Sequence, residues 1–182
     1  MTVSLYKWTI EEWHTLVESG VLADKKVELL AGDIVYMSPE GVPHRNTNHE
    51  VAKYLRKILG EMAEVYEAHP VTLSNSEPEP DIAVVKAPSN RYRNHHPVAE
   101  DIYWLIEVSK HTLAKDLGDK ARIYARNNIA EYWVIDLQNK KVIVHTQPSL
   151  GKYQEIKELR LGALSPLAFP EIEVRLDKIL LY

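Results

Sequence analysis

Cysteine is absent from this 182-residue chain, and its absence removes several kinds of chemistry. The protein can form no disulfide, bind no metal through a thiolate and use no cysteine nucleophile. Any metal ion must therefore be held by oxygen or imidazole ligands. A chain without cysteine is compatible with a reducing compartment but does not prove one.

Long apolar segments are also missing from the sequence. No stretch approaches the ~20 residues that a membrane-spanning helix needs, and residues 1–7 lack the long apolar region of a signal peptide. We therefore expect a cytoplasmic protein with no membrane partner. The chain has no repeat or linker and a hydrophobic content of 45%, so residues 1–182 are expected to form a single domain.

An excess of positive charge is lacking as well, because the formal net charge is -4. A nucleic-acid partner would therefore need a locally basic surface. Basic residues do cluster within 86–96 and within 110–126, although such clusters are more often ordinary solvated faces. The sequence contains no helix-turn-helix or zinc-finger pattern that would read bases.

The hydrophobic pattern that is present predicts a mixed α/β order. Helices are expected at residues 9–19, 49–63 and 114–127. Strands are expected at residues 27–30, 34–37, 71–73, 81–85, 103–108, 131–136, 141–145 and 153–159. The first two strands are expected to form a hairpin that leads the sheet. Thr9 and Glu12 match a capping box at the start of the first helix.

The most informative residue is Glu107, a carboxylate within the otherwise apolar segment 103–108. Burying an ionised carboxylate is costly unless a partner or a metal compensates it. A second acid, Asp81, stands where the apolar strand 81–85 begins. If the two strands are antiparallel neighbours, both acids lie at one rim of the sheet. Strand alternation also puts Glu107 on the same face as Tyr103.

Two carboxylates at the ends of neighbouring apolar strands indicate metal-dependent phosphodiester chemistry. In such hydrolysis a divalent cation binds the scissile phosphate, lowers the pKa of a water and offsets charge in the transition state. Lys120 follows on a predicted helix, where its ammonium could orient the water or stabilise the phosphate. Asp116, four residues earlier, shares that helix face. It either positions Lys120 or forms an exposed ion pair with it, and the sequence leaves both interpretations open.

From roughly Thr9 to Leu180 the chain also resembles the Uma-two family, a branch of the PD-(D/E)xK restriction-endonuclease-like superfamily. Each motif that carries the resemblance is weak alone, but the joint pattern is specific. The motifs are VELLAGD at 27–33, MSP at 37–39 followed by His44, PDIAVV at 80–85, IEVS at 106–109, Asp116 with Lys120 and Tyr124, and EYWVID at 131–136.

This resemblance implies an α/β restriction-endonuclease-like fold, a mixed sheet flanked by helices with additional N-terminal and C-terminal strands. It also implies Asp81 and Glu107 as metal ligands and Glu28 as a further acid at the metal. The expected accessory residues are His44, Asp116 and Tyr124. From the residues alone, Glu28 is equally well an exposed hairpin residue, His44 a surface imidazole in a loop, and Tyr124 a packing residue whose hydroxyl could reach the cleft.

The lysine departs from the superfamily's usual pattern. That pattern has a lysine two residues after the second acid, where this chain has Ser109. Lys120 resembles a migrated replacement, provided that its helix aims it at the rim where Glu107 ends. Lys110 is a weaker substitute, because strand alternation sends it to the face opposite Glu107.

We therefore expect a Mg²⁺-dependent endonuclease that hydrolyses phosphodiester bonds of DNA, with Mn²⁺ as a substitute metal. The expected catalytic residues are Glu28, Asp81, Glu107 and Lys120. Cutting both strands of a duplex would favour a homodimer with two sites. Two alternatives stay open: a non-catalytic nucleic-acid-binding or assembly protein that keeps the fold, and a metal-dependent hydrolase of small phosphoesters.

Overall fold

The N-terminal part of the computed structural model, which describes residues 4–181, contains a helix and a hairpin. These elements are α1 (Ile10–Glu18), β1 (Val27–Leu30) and β2 (Asp33–Tyr36). The predicted hairpin is confirmed, but it forms its own two-stranded sheet, so the expectation that it leads the central sheet is wrong. A single bridge from Leu29 to Glu77 ties it to the chain that precedes Asp81. Residues 1–3, on which the absence of a signal peptide partly depends, lie outside the described residues.

The second helix, α2 (Val42–Leu59), begins earlier than the predicted residue 49. Gly41 is its N-cap, and Pro43 lies in the first turn. Proline is tolerated there because the first amides of a helix have no intrahelical acceptor. His44 is therefore helical, and the expectation of a loop position is wrong. The strand β3 (Ala63–Glu67) follows almost directly, and it begins at the residue where the predicted helix ends.

A six-stranded mixed sheet forms the centre of the protein. In spatial order its strands are β3, β4 (Ile82–Lys86), β5 (Ile102–Ser109), β6 (Glu131–Asp136), β7 (Lys141–Ser149) and β8 (Lys152–Leu159). Only β5 and β6 are parallel, and the other neighbouring pairs are antiparallel. A parallel pair needs a crossover connection, and the chain supplies one as a helix between these two strands.

The crossover helix has three parts, α3 (Leu113–Lys115), a π-helical segment (Asp116–Lys120) and α4 (Ala121–Arg126). It matches the predicted position but not the regular α-helical geometry on which that prediction depended. Single π turns within helices are often found at functional sites, which makes this segment a candidate part of one.

Both faces of the central sheet are covered, one by α2 and the other by α4. On the first face, Leu55 of α2 packs in one apolar cluster with Ile106 and Trp133. On the second, Tyr124 of α4 packs in another with Leu105. Tyr132 and Trp133 are fully buried, as predicted for core residues. No helix within residues 4–181 combines the length and the apolar character needed to cross a bilayer.

Two short C-terminal strands complete the fold, β9 (Ala163–Leu164) and β10 (Val174–Arg175), which pair with each other. The predicted mixed sheet flanked by helices, with additional N-terminal and C-terminal strands, is confirmed. The strand predicted at residues 71–73 is wrong, because this segment contributes only one bridge, from Thr72 to Val98.

Glu77 fastens α1 to the chain that leads into the central sheet. Its buried carboxylate accepts hydrogen bonds from Trp13 Nε1 at 2.9 Å and from Thr72 Oγ1 at 2.7 Å, and it contacts His14 Nε2 at 2.7 Å. The predicted capping box of Thr9 and Glu12 holds the start of α1. Burial raises the pKa of Glu77, but the hydrogen bonds from His14, Thr72 and Trp13 outweigh burial and lower it.

We expect Glu77→Ala to lower the free energy of unfolding by about 3 kcal/mol at pH 7, because it leaves buried donors without an acceptor. The lowered pKa means that the carboxylate stabilises the fold above its unfolded-state pKa of about 4.3, and that this contribution is lost as pH falls through the folded-state value. Urea unfolding at pH 7 and at pH 3 measures both effects. The difference from wild type should shrink at pH 3.

The matched control for this experiment is Glu171→Ala, which removes an exposed carboxylate from a turn. It should leave the free energy of unfolding within about 0.5 kcal/mol of the wild-type value. An equal decrease in the free energy of unfolding in the two variants would show that Glu77 does not hold α1 in place.

Candidate active site

Asp81 and Glu107 lie side by side at one rim of the central sheet. Ile82 pairs with Ile106 in antiparallel register, which puts Asp81, just before β4, opposite Glu107. The amide of Val108 donates to Oδ2 of Asp81 at 2.6 Å and fixes the carboxylate against the end of β5. The structure thus brings together the two acids that antiparallel pairing predicts as neighbours.

Glu107 faces the crossover helix and is only 3% exposed. Strand alternation from Trp104 onwards puts it on the face of Leu105, as predicted. The same expectation is wrong for Tyr103, which packs on the opposite face beside Phe169 with ring centroids 4.9 Å apart. The cause is an irregularity in the pairing of β4 with β5, which shifts the register between Val84 and Val85.

Two side chains of the crossover helix contact Glu107 at one oxygen. Lys120 Nζ donates to Oε1 at 2.7 Å, and the hydroxyl of Tyr124 donates to the same atom at 2.8 Å. The helix therefore aims Lys120 at the rim, which is the condition that a replacement lysine must satisfy. Lys110, the weaker substitute, does not line this cleft.

Asp116 is buried and does not form the exposed ion pair with Lys120 that helical spacing allowed. It is 3% exposed and accepts a hydrogen bond from Thr112 Oγ1 at 2.6 Å. Its backbone carbonyl accepts from the hydroxyl of Tyr132 at 3.1 Å. Asp116 thus adds negative charge to the cleft wall next to Lys120.

Glu28 comes from the separate β1–β2 hairpin and is 2% exposed, so an exposed hairpin position is excluded. Lys115 Nζ donates to its Oε1 at 2.7 Å, and the amide of Glu79 donates to Oε2 at 3.3 Å. Lys120 Nζ lies 3.9 Å from Oε2. Two lysines of the crossover helix therefore bind the acid that the hairpin contributes.

His44, in the first turn of α2, lies against Asp81. Its Nε2 is 3.0 Å from Oδ2 of Asp81, whereas its buried Nδ1 has no hydrogen-bond partner. Burial lowers the pKa of His44, but the hydrogen bond and charge of Asp81, with Glu40 and Asp116, outweigh burial and raise it. The imidazolium that this favours donates to Asp81, and it cannot bind a metal unless it loses its proton.

The cleft has more acid groups than cations to balance them. Burial raises the pKa of Glu107 well above its usual value, Lys120 opposes the rise, and Asp81 and Asp116 add to it. Burial also raises the pKa of Asp116. Although burial alone lowers the pKa of Lys120, the charges of Glu107, Glu28 and Asp81 raise it above its usual value. Such a set of acids would be stabilised by one more positive charge.

The arrangement of the oxygens fits a cation. Both hydrogen bonds to Asp81 fall on Oδ2 and both to Glu107 fall on Oε1, so Oδ1 and Oε2 accept none from the described residues. In residues 4–181 the only three acidic or histidine residues with ligand atoms within 4.8 Å of one another are Glu40, His44 and Asp81. The predicted set of Glu28, Asp81 and Glu107 is not brought together to that distance. The cleft has a volume of about 60 Å³, enough for an ion with a few waters.

Several residues of the cleft were not predicted to belong to the site, namely Glu40, Glu79, Thr112 and Lys115. The position of Glu79 could have been predicted from the sequence, because a residue two before Asp81 lies on the same side of an extended chain. Lys115 had been predicted only as part of a basic cluster. Its position beside Glu28 depends on the separate hairpin, which no local pattern reveals.

A mixed sheet with paired acids at its rim and a buried lysine against them defines an α/β protein with an acidic candidate site. Comparison with solved structures bears on its fold. A crystal structure described as a putative nuclease belonging to DUF820, from Anabaena variabilis ATCC 29413, aligns with a TM-score of 0.73. The identity is 16%, and the alignment covers 94% of this chain and 97% of that chain. At this identity the likeness establishes the fold.

The family follows from the sequence itself. The model of the Uma-two family, described as a putative restriction endonuclease, matches residues 10–177. The chain belongs to this family, and the resemblance inferred from its motifs is confirmed. A search of curated proteins finds no match.

Proposed function

We propose that the protein is a Mg²⁺-dependent endonuclease that hydrolyses phosphodiester bonds of DNA, with Mn²⁺ as a substitute metal. The observation that carries the proposal is the pairing of Asp81 with Glu107 at the rim, with Lys120 bound to Glu107. Membership of a restriction-endonuclease family supports nucleic acid as the partner. Two copies acting as a homodimer would cut both strands of a duplex.

Each residue of the cleft has a distinct proposed role. Asp81 and Glu107 would hold the cation, and Glu28 would be the further acid. Such an ion lowers the pKa of a bound water and offsets the charge of the phosphate. Lys120, held by Glu107, presents an ammonium to the attacking water or to a phosphate oxygen.

The accessory residues keep this arrangement in place. His44 holds Oδ2 of Asp81, and the hydroxyl of Tyr124 holds Oε1 of Glu107. Asp116 adds negative charge to the cleft wall close to Lys120. Because these contacts leave one oxygen of each paired acid without a hydrogen bond, they orient the acids without blocking them.

The first test is calorimetric titration of Mg²⁺ and of Mn²⁺ into the wild-type protein and Asp81→Asn, with plasmid nicking measured on the same samples. We expect the wild type to bind metal and nick, and EDTA to abolish nicking. Asp81→Asn should lose at least tenfold in metal affinity, because one charged ligand is gone. Unchanged binding in Asp81→Asn would contradict the assigned ligand, and nicking that persists in EDTA would contradict the metal dependence.

A second candidate function is a non-catalytic nucleic-acid-binding or assembly protein. One observation favours it: Lys115 and Lys120 already bind Glu28 and Glu107, so part of the acid charge is neutralised within the chain. Such a protein would bind DNA equally well with Mg²⁺ and with EDTA and would nick nothing. The titration above therefore separates the two functions.

A further inference from the structure

A second, larger groove opens beside the catalytic cleft. We call it the hairpin groove, because its walls are the β1–β2 hairpin and the crossover helix. Its volume is about 640 Å³, against about 60 Å³ for the cleft. Ser38 and Lys115 line both spaces, so the two are adjacent.

The two volumes indicate different parts of a substrate. A space of about 60 Å³ accommodates a reacting group and an ion, whereas drug-sized ligands occupy pockets of roughly 300–1,000 Å³. If a phosphate reacts beside Asp81 and Glu107, the remainder of the substrate must lie in an adjoining space. The hairpin groove is of the size needed and adjoins the cleft.

The lining of the hairpin groove suits a nucleobase beside phosphates. Tyr36, at the end of β2, is 75% exposed, so its ring is accessible to a ligand. Val35 and Ile123 are apolar residues of the lining. Arg122 and Arg126, one helical turn apart, also line the groove, and the side chain of Arg126 lies against Gly151. Exposed aromatic rings beside cations are the usual means of binding unpaired strands.

The charges of the groove are not all balanced within the chain. Asp119 pairs with Arg122, and Asp33 pairs with Lys7. Arg126 is exposed and has no acidic partner among residues 4–181. The groove therefore keeps an excess of positive charge on the wall that faces Tyr36.

We propose that the hairpin groove binds an unpaired stretch of DNA next to the reacting phosphate, with a base stacked on Tyr36 and a phosphate contacted by Arg126. This inference rests on the proposed nuclease function for the position of the reacting phosphate. It adds a substrate class: the strand entering the cleft is single-stranded, as at a nick, a flap or a melted site. A duplex would instead engage both strands along an outer surface.

The experiment compares the wild-type protein with Tyr36→Ala and Arg126→Ala. Fluorescence anisotropy in EDTA measures binding of a single-stranded oligonucleotide and of the duplex of the same sequence. Hydrolysis of bis(p-nitrophenyl) phosphate in Mg²⁺ or Mn²⁺ measures the activity of the catalytic site on a substrate that does not occupy the groove. Lys157→Ala and Leu161→Ala are matched controls, since they remove an exposed cation and an exposed apolar side chain elsewhere.

We expect Tyr36→Ala to weaken single-strand binding roughly tenfold, as is typical of losing a base-stacking ring. Arg126→Ala should weaken it several-fold and reduce the slope of log affinity against log salt by about 1. Duplex binding, hydrolysis of the small diester and both control variants should stay within twofold of the wild type.

Three results would refute strand binding by the hairpin groove. They are an unchanged single-strand affinity in both variants, equal losses of affinity for the single strand and the duplex, and no binding of oligonucleotide by the wild type. The proposed catalytic function is judged separately. Groove-dependent binding with no hydrolysis of plasmid or small diester would support strand binding by the groove and refute the proposed nuclease activity. Hydrolysis of the small diester without strand binding would support the catalytic site and refute strand binding by the groove.

Discussion

Glu107→Gln is expected to lower the rate of plasmid nicking by roughly 10³-fold, which corresponds to about 4 kcal/mol of transition-state stabilisation. The amide has the shape of the carboxylate, and its oxygen can still accept the hydrogen bond from Tyr124. It lacks the negative charge that would hold a divalent cation. The substitution also breaks the buried ion pair with Lys120, which keeps only Glu28 at 3.9 Å, so the rate is expressed per folded molecule. The measurement is kcat/KM at saturating Mg²⁺, together with circular dichroism.

The chain offers a matched control in Glu131, another buried glutamate of the central sheet. It is 2% exposed on β6, and it accepts hydrogen bonds from Trp133 Nε1 and the Leu167 amide, both at 2.7 Å. Glu131→Gln should change stability but not the rate per folded molecule, because Glu131 does not line the cleft. Nicking by Glu107→Gln at the wild-type rate would refute its role as a ligand.

Lys120→Met is expected to have the second largest effect, and it should act on stability as well as on rate. Removing an ammonium that stabilises developing charge lowers a rate by about 10²–10³-fold. The substitution also leaves Glu107 and Glu28 buried without their shared cation, and breaking a buried ion pair costs about 3–5 kcal/mol. Urea unfolding and nicking of the folded fraction measure the two effects separately.

Two further comparisons make the assignment of this lysine specific. Lys110→Met tests the alternative lysine, and it should leave both the rate and the free energy of unfolding near their wild-type values. Adding Mg²⁺ should raise the melting temperature of Lys120→Met more than that of the wild type, because the ion replaces part of the lost positive charge. A loss of nicking in Lys110→Met with none in Lys120→Met would reverse the assignment.

The central part of the site could be predicted because it depends on local rules. Glu107 was conspicuous as an acid in an apolar strand, and that strand lies where predicted. Pairing of Asp81 with Glu107 needed only antiparallel neighbours and a period of two. The helix after β5 was expected from its apolar spacing and contains Lys120. Each inference used residues close together in sequence or one simple pairing rule.

The other features depend on contacts that no local pattern reveals. Glu28 reaches the cleft because its hairpin docks beside the sheet instead of extending it. His44 was missed as a helical residue because Pro43 suggested a loop, although proline suits a first helical turn. The position of Tyr103 depends on an irregular pairing of two strands, and such irregularities follow from tertiary packing more than from composition.

The π-helical segment also explains how two lysines come to bind the same acid. On a regular α-helix, Lys115 and Lys120 would point in clearly different directions, since each residue turns the helix by about 100°. A π turn hydrogen-bonds residue i to residue i+5, which brings positions five apart onto one face. Like charges that an α-helix would separate thus stand side by side, and Glu28 and Glu107 offset their repulsion. The backbone irregularity and the charge cluster stabilise each other, so deleting one residue between the lysines would disrupt both together.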